Sequence, residues 1–359
     1  MRLLTALGLT WLLLATAASA QDAPDPTALL AQAQAGNAAA QRDYADLYYF
    51  GQGVPQDTDT AMTWYRKAAD QNDDVALFMM GQIYEQNPQL PYYLGRTIYW
   101  YNRAAQQNYV PAQYYLGRYL LTVSGITYNY PDAEEGLTWL GRAAEADDVL
   151  SQLALANIYG YDDNSFYLRP PVPRDDVKAV FWYRRAATIG DPKAMSALAL
   201  RARDGLGMTA DPAEAVQWAR KVVEGTFPDG VETSDLRDAQ TLLGIALLKG
   251  SGVPRDEAAA LNLLTSAAED GDPEAAWHLG EIYRLGLGVK KDKDLADQWQ
   301  TKARGNDYDP EAKPTPAQRP VTSLQDAWQQ MDAATRALAQ QRSAEIRKTS
   351  AGEPYPKPE

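Results

Sequence analysis

Apolar residues recur along this chain at the three-to-four spacing of a buried helix face, and the phase of that pattern resets about every 36 residues. Tyr44, Leu47 and Tyr48 form one such stripe, and Leu116, Tyr119 and Leu120 form another. Each stripe contains a small residue after a bulky one: Ala45, Gly81, Gly117, Ala156, Ala199, Gly244 and Gly280. A large apolar residue follows, four positions before the next small pair: Trp64, Trp100, Trp139, Trp182, Trp218, Leu263 and Trp299. Most steps from small residue to ring are 19 residues, and nearly all steps from ring to small residue are 17. Self-similarity at a period of about 20–50 residues marks a solenoid of stacked units.

Within one unit the pattern predicts two helices. A Gly or Ala at the contact position lets the partner helix approach to the short end of the usual range of about 8–10 Å. The turn between them reads Gly51-Gln52-Gly53-Val54-Pro55-Gln56-Asp57, and again from Gly250 to Asp256 and from Gly286 to Asp292. Glycine at positive φ ends the first helix and the aspartate caps the second. The second helix ends Trp-Tyr-x-x-Ala-Ala, as in Trp64 to Ala69 and Trp182 to Ala187. Rings beside alanines give knobs and slots for stacking, so Trp182, mid-array, is expected to be a buried ring.

The pattern A-x-x-x-L-G-x-x-Y-x-x-G-x-G-V-x-x-D, followed by A-x-x-W-Y-x-K/R-A-A, resembles the Sel-one-like repeat (SLR) family, a tetratricopeptide-like α-solenoid. The resemblance covers roughly residues 36 to 305, with many linked positions in register. It implies an adaptor or scaffold without catalysis of its own, often in bacterial envelopes. One exported branch of the family is stapled by disulfides; this chain has no cysteine, so nothing carries over from that branch. The expected fold is all-α: a right-handed superhelical α-solenoid of about seven helix-turn-helix repeats over residues 36–306, with a C-terminal helix.

Departures from the template mark what is particular to this chain. Repeat two replaces Gly-x-Gly with Asn87-Pro88-Gln89-Leu90-Pro91. Repeats three and four stretch the 19-residue step to 22 and 26, and about nine residues around Phe227 to Leu236 separate repeats five and six. All three insertions are expected as loops, which in repeat proteins gather on one face. Residues 21–35 hold a lone capping helix from Thr27 to Ala35. Residues 307–322 read as a proline-rich linker, and residues 349–359 as a disordered tail. Between them, 323–348 is predicted as an amphipathic helix with Leu324, Trp328, Met331, Leu338 and Ile346 on one face. It either caps the last repeat or binds a partner.

Residues 1–20 read as a secretory leader: Arg2, an apolar run from Leu3 to Leu14, and Ala18-Ser19-Ala20 before Gln21, with cleavage after Ala20. A run of about a dozen residues is too short for a bilayer core of about 30 Å. The expected location is the bacterial periplasm, or secretion. With 34 basic and 47 acidic residues the net charge is −13, which gives no help in approaching nucleic acid or anionic lipid.

Motifs that suggest chemistry are weak. Gly205-Leu206-Gly207-Met208-Thr209-Ala210 matches a dinucleotide fingerprint, but it follows a repeat helix where that fold needs a strand. His278 is the single histidine and is expected on the solvent or groove side. Asp147-Asp148 and Asp162-Asp163-Asn164 lack the alternating spacing of a calcium loop. No catalytic, cofactor or metal residue is therefore assigned. Tyrosine is the anomaly with a position attached: half of the 22 lie between residues 83 and 130. Tyr92, Tyr93, Tyr114, Tyr115, Tyr128 and Tyr130 are off the template, as are Tyr161, Phe166 and Tyr167 in the next enlarged loop. These nine either pack their own loops or form a partner-binding patch, since tyrosine suits interface hot spots. The chain reads as an exported, non-catalytic protein-interaction scaffold. Its rivals are a regulator binding a sensor's periplasmic domain, a polysaccharide-export scaffold, and an immunity protein against a periplasm-delivered toxin.

Overall fold

The computed structural model describes residues 26–305, apart from 128–129, 161–171, 173 and 229; of residues 122–133 the side chains are not described. The expected leader, linker, C-terminal helix and tail lie outside these residues. All regular structure among the described residues is α-helical, in fifteen helices. Contacts divide the chain between Ala112 and Gln113 into two compact units. The first holds α1 (Pro26–Gln34), α2 (Ala38–Phe50), α3 (Thr58–Asp70), α4 (Asp74–Gln86), α5 (Tyr93–Gln106) and the start of α6 (Val110–Thr127). The second holds the rest of α6, then α7 (Tyr130–Glu145), α8 (Val149–Gly160), α9 (Asp176–Ile189) and α10 (Pro192–Asp204). It continues with α11 (Pro212–Glu224), α12 (Thr233–Lys249), α13 (Glu257–Glu269), α14 (Pro273–Leu285) and α15 (Lys293–Gly305). Consecutive helices pack as pairs, and within each unit one pair packs on the next.

Helix ends follow the turn chemistry. Asp57, Asp211 and Asp256 cap α3, α11 and α13 by accepting backbone N–H bonds from the first turn. Gly51, Gly250 and Gly286 end α2, α12 and α14 in the left-handed region. Gly205 does the same for α10, so the dinucleotide-like string is a helix stop. The second glycine of the turn has a different task. A Cβ at Gly207, Gly252 or Gly288 would overlap the start of the second helix in the preceding repeat, at Asp176, Pro212 and Glu257 respectively. Gly53, in the first repeat, meets nothing.

The small positions behave as expected. A Cβ at Gly81, Gly117, Gly244 or Gly280 would enter the side chain of Tyr101, Leu140, Leu264 or Gln300 on the partner helix. The residue meeting the small position is thus the one after the tryptophan. That corrects the expectation for Trp182: its ring is half-buried, whereas Tyr183 is 1% exposed. Tyr65, Tyr101 and Tyr183 are buried in this way, their hydroxyls donating to Asp46, Glu85 (2.6 Å) and Asn157 (2.5 Å).

The tryptophans instead form a clip. The cation three residues on lies over each ring: Lys67 over Trp64 at 3.6 Å, Arg103 over Trp100 at 5.6 Å, and Arg142 over Trp139 at 4.5 Å. Arg185 over Trp182, Lys221 over Trp218 and Lys302 over Trp299 complete the set at 5.5, 4.1 and 4.8 Å. Three of these cations also reach the preceding repeat. Arg103 donates to the Ala69 carbonyl (3.1 Å), Arg185 to Asp147 Oδ1 (2.5 Å) and Lys302 to the Ala268 carbonyl (2.8 Å).

Two insertions depart from the loop expectation. In repeat three, α6 runs to Thr127 and α7 begins at Tyr130, so the added residues lengthen helices rather than forming a long loop. Pro131, in the first turn of α7, suits a helix start and permits this. Between repeats five and six, residues 225–228 and 230–232 are loop, but Thr233 to Leu236 become the first turn of α12. Phe227 and Val231 pack against the core of the second unit, so this loop is anchored.

Candidate interaction surface

Seven residues are added to the repeat pattern between α8 and α9. In other repeats the capping aspartate's N–H donates to a carbonyl nine positions back: Asp57 to Tyr48, Asp211 to Ala202, Asp256 to Leu247 and Asp292 to Tyr283. The same bond closes repeat four, from Asp175 to Tyr159 at 2.8 Å, across seven more residues. The closing bond at this stem is therefore the same as in the other repeats despite the added residues.

A buried arginine secures that stem. Two positions after the small residue, the other repeats carry Leu47, Ile83, Tyr119, Ile158, Ala246 and Ile282, all buried. Repeat five has Arg201 there, 1% exposed. Its Nη1 donates to Asp176 Oδ1 at 2.9 Å and its Nη2 to the Gly160 carbonyl at 3.4 Å, and the guanidinium lies 5.3 Å from the Tyr183 ring centroid. A Cβ at Gly160 would press on the guanidinium and displace it, so the glycine leaves room for Arg201. Arg174 holds the other carboxylate oxygen of Asp176 at 2.8 Å. Burial alone would raise the Asp176 pKa, but the hydrogen bonds from Arg174 and Arg201 outweigh it and hold the carboxyl below its usual range. Sequence reasoning missed Arg201. The signal was present as a charged residue at a register position that is apolar in every other repeat.

Of the nine predicted aromatic site residues, the side chains of Tyr92, Tyr93, Tyr114 and Tyr115 are described. Tyr92, in the left-handed region before α5, is 66% exposed, and Tyr93 beside it is half-buried. Tyr114 and Tyr115 lie in the second unit, ring centroids 5.2 Å apart and edge to face. Tyr114 packs on the cluster of Leu121, Leu140 and Leu155, and Arg118 lies 5.2 Å from the Tyr115 ring. Tyr130 opens α7, but its side chain is outside the described residues, as are Tyr128, Tyr161, Phe166 and Tyr167 altogether. Thus the structure brings Tyr114 and Tyr115 together and places Tyr92 and Tyr93 in the other unit.

Titratable groups gather on the first helix of repeats five, six and seven, at α10, α12 and α14. Burial raises the carboxyls of Asp191, Asp238 and Glu274, and pushes Asp235 up to about 6, with Glu232, Asp238 and Asp191 adding repulsion. His278 is half-buried, and burial with the nearby charge of Lys249 depresses it to about 4, so it is neutral at physiological pH. No group of three or more metal-ligating side chains occurs among the described residues. No described helix is long and apolar enough to cross a membrane.

The family model described as "Sel1 repeat" matches seven segments: 38–73, 75–109, 110–148, 149–191, 192–222, 237–272 and 273–303. The chain belongs to the Sel1 repeat family. Each match spans one helix pair, from α2 with α3 through α14 with α15. An uncharacterized protein of Neisseria meningitidis serogroup B is 28% identical over 67% of this chain, which spans 53% of that protein. Chitin synthase regulatory factor 3 of Schizosaccharomyces pombe is 26% identical over 43% of this chain and 16% of its own length. Among solved structures, a protective antigen of uropathogenic Escherichia coli with an SLR fold superimposes with a TM-score of 0.61 at 24% identity, covering 92% of this chain and 72% of that one. A Sel1 repeat protein from Oxalobacter formigenes gives 0.52 at 28% identity and covers 80% of each.

Proposed function

We propose that this Sel1 repeat chain is an exported, non-catalytic scaffold of the bacterial periplasm that holds another protein on the aromatic segments of repeats two to four. One observation carries the reading. The enlargement of repeat four is inserted without disturbing the stem bond, and a buried Arg201 is committed to fixing that stem. Segments positioned by a rigid scaffold are where binding residues concentrate. Tyr92, with two-thirds of its surface exposed in a left-handed backbone conformation, fits the same use in repeat two. The leader-like residues 1–20 support export. Replacing Tyr128, Tyr130 and Tyr167 with Ser should abolish partner capture from a periplasmic extract while leaving helicity and melting temperature nearly unchanged. Undiminished capture would move the site elsewhere, and loss of the fold would show the rings to be core.

A second reading has its own support. Two relatives are named as regulators of a chitin synthase, from Schizosaccharomyces pombe and Saccharomyces cerevisiae. A scaffold acting on polysaccharide-making or polysaccharide-exporting machinery follows by analogy, and it predicts that the captured protein belongs to such machinery.

A further inference from the structure

The repeats serve as internal controls for one another, and on that basis the outer face of α9 is anomalous. Val177, Phe181 and Ile189 are 67%, 53% and 52% exposed. The positions matching Phe181 elsewhere are Thr63, Tyr99, Thr138, Gln217, Asn262 and Gln298, mostly polar. Those matching Val177 include Asp59, Glu134 and Asp294, and those matching Ile189 include Gln71, Gln107 and Asp270. Repeat four alone turns all three sites to large apolar side chains. They fall on one side of a helix over about 18 Å at about 1.5 Å per residue.

We propose that this stripe is the docking site, in cis, for the first half of the chain's own segment 323–348. Three arguments select that occupant. The segment carries Leu324, Trp328 and Met331 at helical spacing, three large apolar side chains on one face over about 10 Å at about 1.5 Å per residue. Its first thirteen residues hold Asp326 and Asp332 and no basic residue, while exposed Lys178 and Arg184, which also pair with Asp175 (3.3 Å) and Glu214 (2.7 Å), flank Phe181 on α9. The chain also reaches. Gly305 ends α15, three repeats after α9, a separation of about 30 Å for helices packed about 8–10 Å apart. The seventeen residues 306–322 span up to about 56 Å when extended.

The alternatives fit less well. A cap on the last repeat has little to cover. The second alanine of the pair, buried as Ala69, Ala105, Ala144, Ala187 and Ala268, is replaced there by exposed Arg304, whose guanidinium lies 5.8 Å from the Trp277 ring centroid. A second copy would gain about 300–400 Å² from three such side chains, against about 800 Å² per partner in a stable interface. A tethered segment needs less, because its effective concentration is high.

The absence of cysteine makes a direct test clean. Nitroxide labels are placed on Arg184→Cys and Gln330→Cys in the full mature chain, and the distance is read by double electron–electron resonance. Docking gives one narrow distance near about 20 Å, two packed helices plus the reach of the labels. Phe181→Ser should convert it to a broad, longer distribution without changing the circular dichroism. A long or broad distance in the parent chain overturns the proposal, as does a short one that Phe181→Ser leaves intact. A short distance that fades when labelled chain is mixed with unlabelled chain assigns the contact to a second copy and equally overturns it.

Discussion

Replacing Arg201 with Met tests whether the stem of repeat four is held by charge or by shape. Breaking a buried ion pair from one side costs about 3–5 kcal/mol when the other charge is left stranded. Here Asp176 keeps Arg174 at 2.8 Å and is about a quarter exposed, so its charge is not stranded. What is lost is the bond to Asp176, the bond to the Gly160 carbonyl and the stacking on Tyr183, while Met recovers apolar packing in a register position where five of the other six repeats carry Leu, Ile or Ala. The expected cost is therefore about 2–3 kcal/mol, within the range for hydrogen bonds to charged groups. Chemical denaturation of the chain measures it, and amide exchange at 157–160 and 174–178 should rise locally. The pH dependence supplies a second check. Asp176 is depressed in the folded chain, so its stabilisation is present above about pH 4 and is lost as pH falls through its folded value. The difference between parent and Arg201→Met should shrink in acid. A cost below about 0.5 kcal/mol at neutral pH would mean that the pair breaks even with a hydrophobic residue, as some buried pairs do, and the clamp argument would fall.

Other perturbations separate the roles assigned to neighbouring residues. Tyr183→Ala should cost about 3–5 kcal/mol, and Trp182→Ala distinctly less, because only the tyrosine is fully enclosed; equal losses in denaturant melts would reverse the assignment. Gly252→Ala should destabilise more than Gly53→Ala. Both sit at φ 72°, yet only Gly252 faces the preceding repeat, so the difference in melting temperature reports that contact alone. Burial raises Asp46 to about 6, with Asp43 adding to the rise and the Tyr65 hydroxyl opposing it. The folded chain then holds a proton that the unfolded chain releases, so this contribution is full below about pH 4 and disappears as pH rises through about 6. Its upper size is about 3 kcal/mol for two pKa units. His278, depressed to about 4, works in the opposite direction over the same window, so the reading is the parent-minus-Asp46→Asn difference. A difference that stays flat between pH 4 and 7 would contradict the burial of Asp46.

The sequence made the repeat legible wherever one residue type alone can do the job. Glycine at the left-handed helix end and aspartate at the following cap were readable because few side chains substitute there. The close-contact glycines were readable from their spacing. Which of two adjacent rings is buried was not, because Trp182 and Tyr183 lie about 100° apart on a helix and either could face inward. The structure resolves it through the small residue opposite. Arg201 was hidden for a related reason: an arginine in a helical stripe looks like a break in the buried face until the register of all seven repeats is compared. The fate of the repeat-three insertion depended on helix ends that shift by a few residues without any change in composition.

The clip supplements the packing between repeats. Nearly half of the buried apolar residues are alanines, whose burial contributes little area per residue. A tryptophan packed along the pair, buried as Trp100 and Trp139 and half-buried as Trp64, Trp182, Trp218 and Trp299, adds area, and at Arg103, Arg185 and Lys302 the cation over it adds a directional tie to the previous repeat. If ring and cation act as one device, losing either should remove the reason for the other. Repeat six shows that outcome within the chain: Leu263 replaces the tryptophan and Ser266 replaces the cation together. Its neighbour still ties to it, since Lys302 of repeat seven reaches the Ala268 carbonyl. The repeat-six interface with repeat five is thus the one without a clip of its own, and it follows the 225–232 insertion, where Phe227 and Val231 pack on the core instead. An anchored loop stands in for the missing ring.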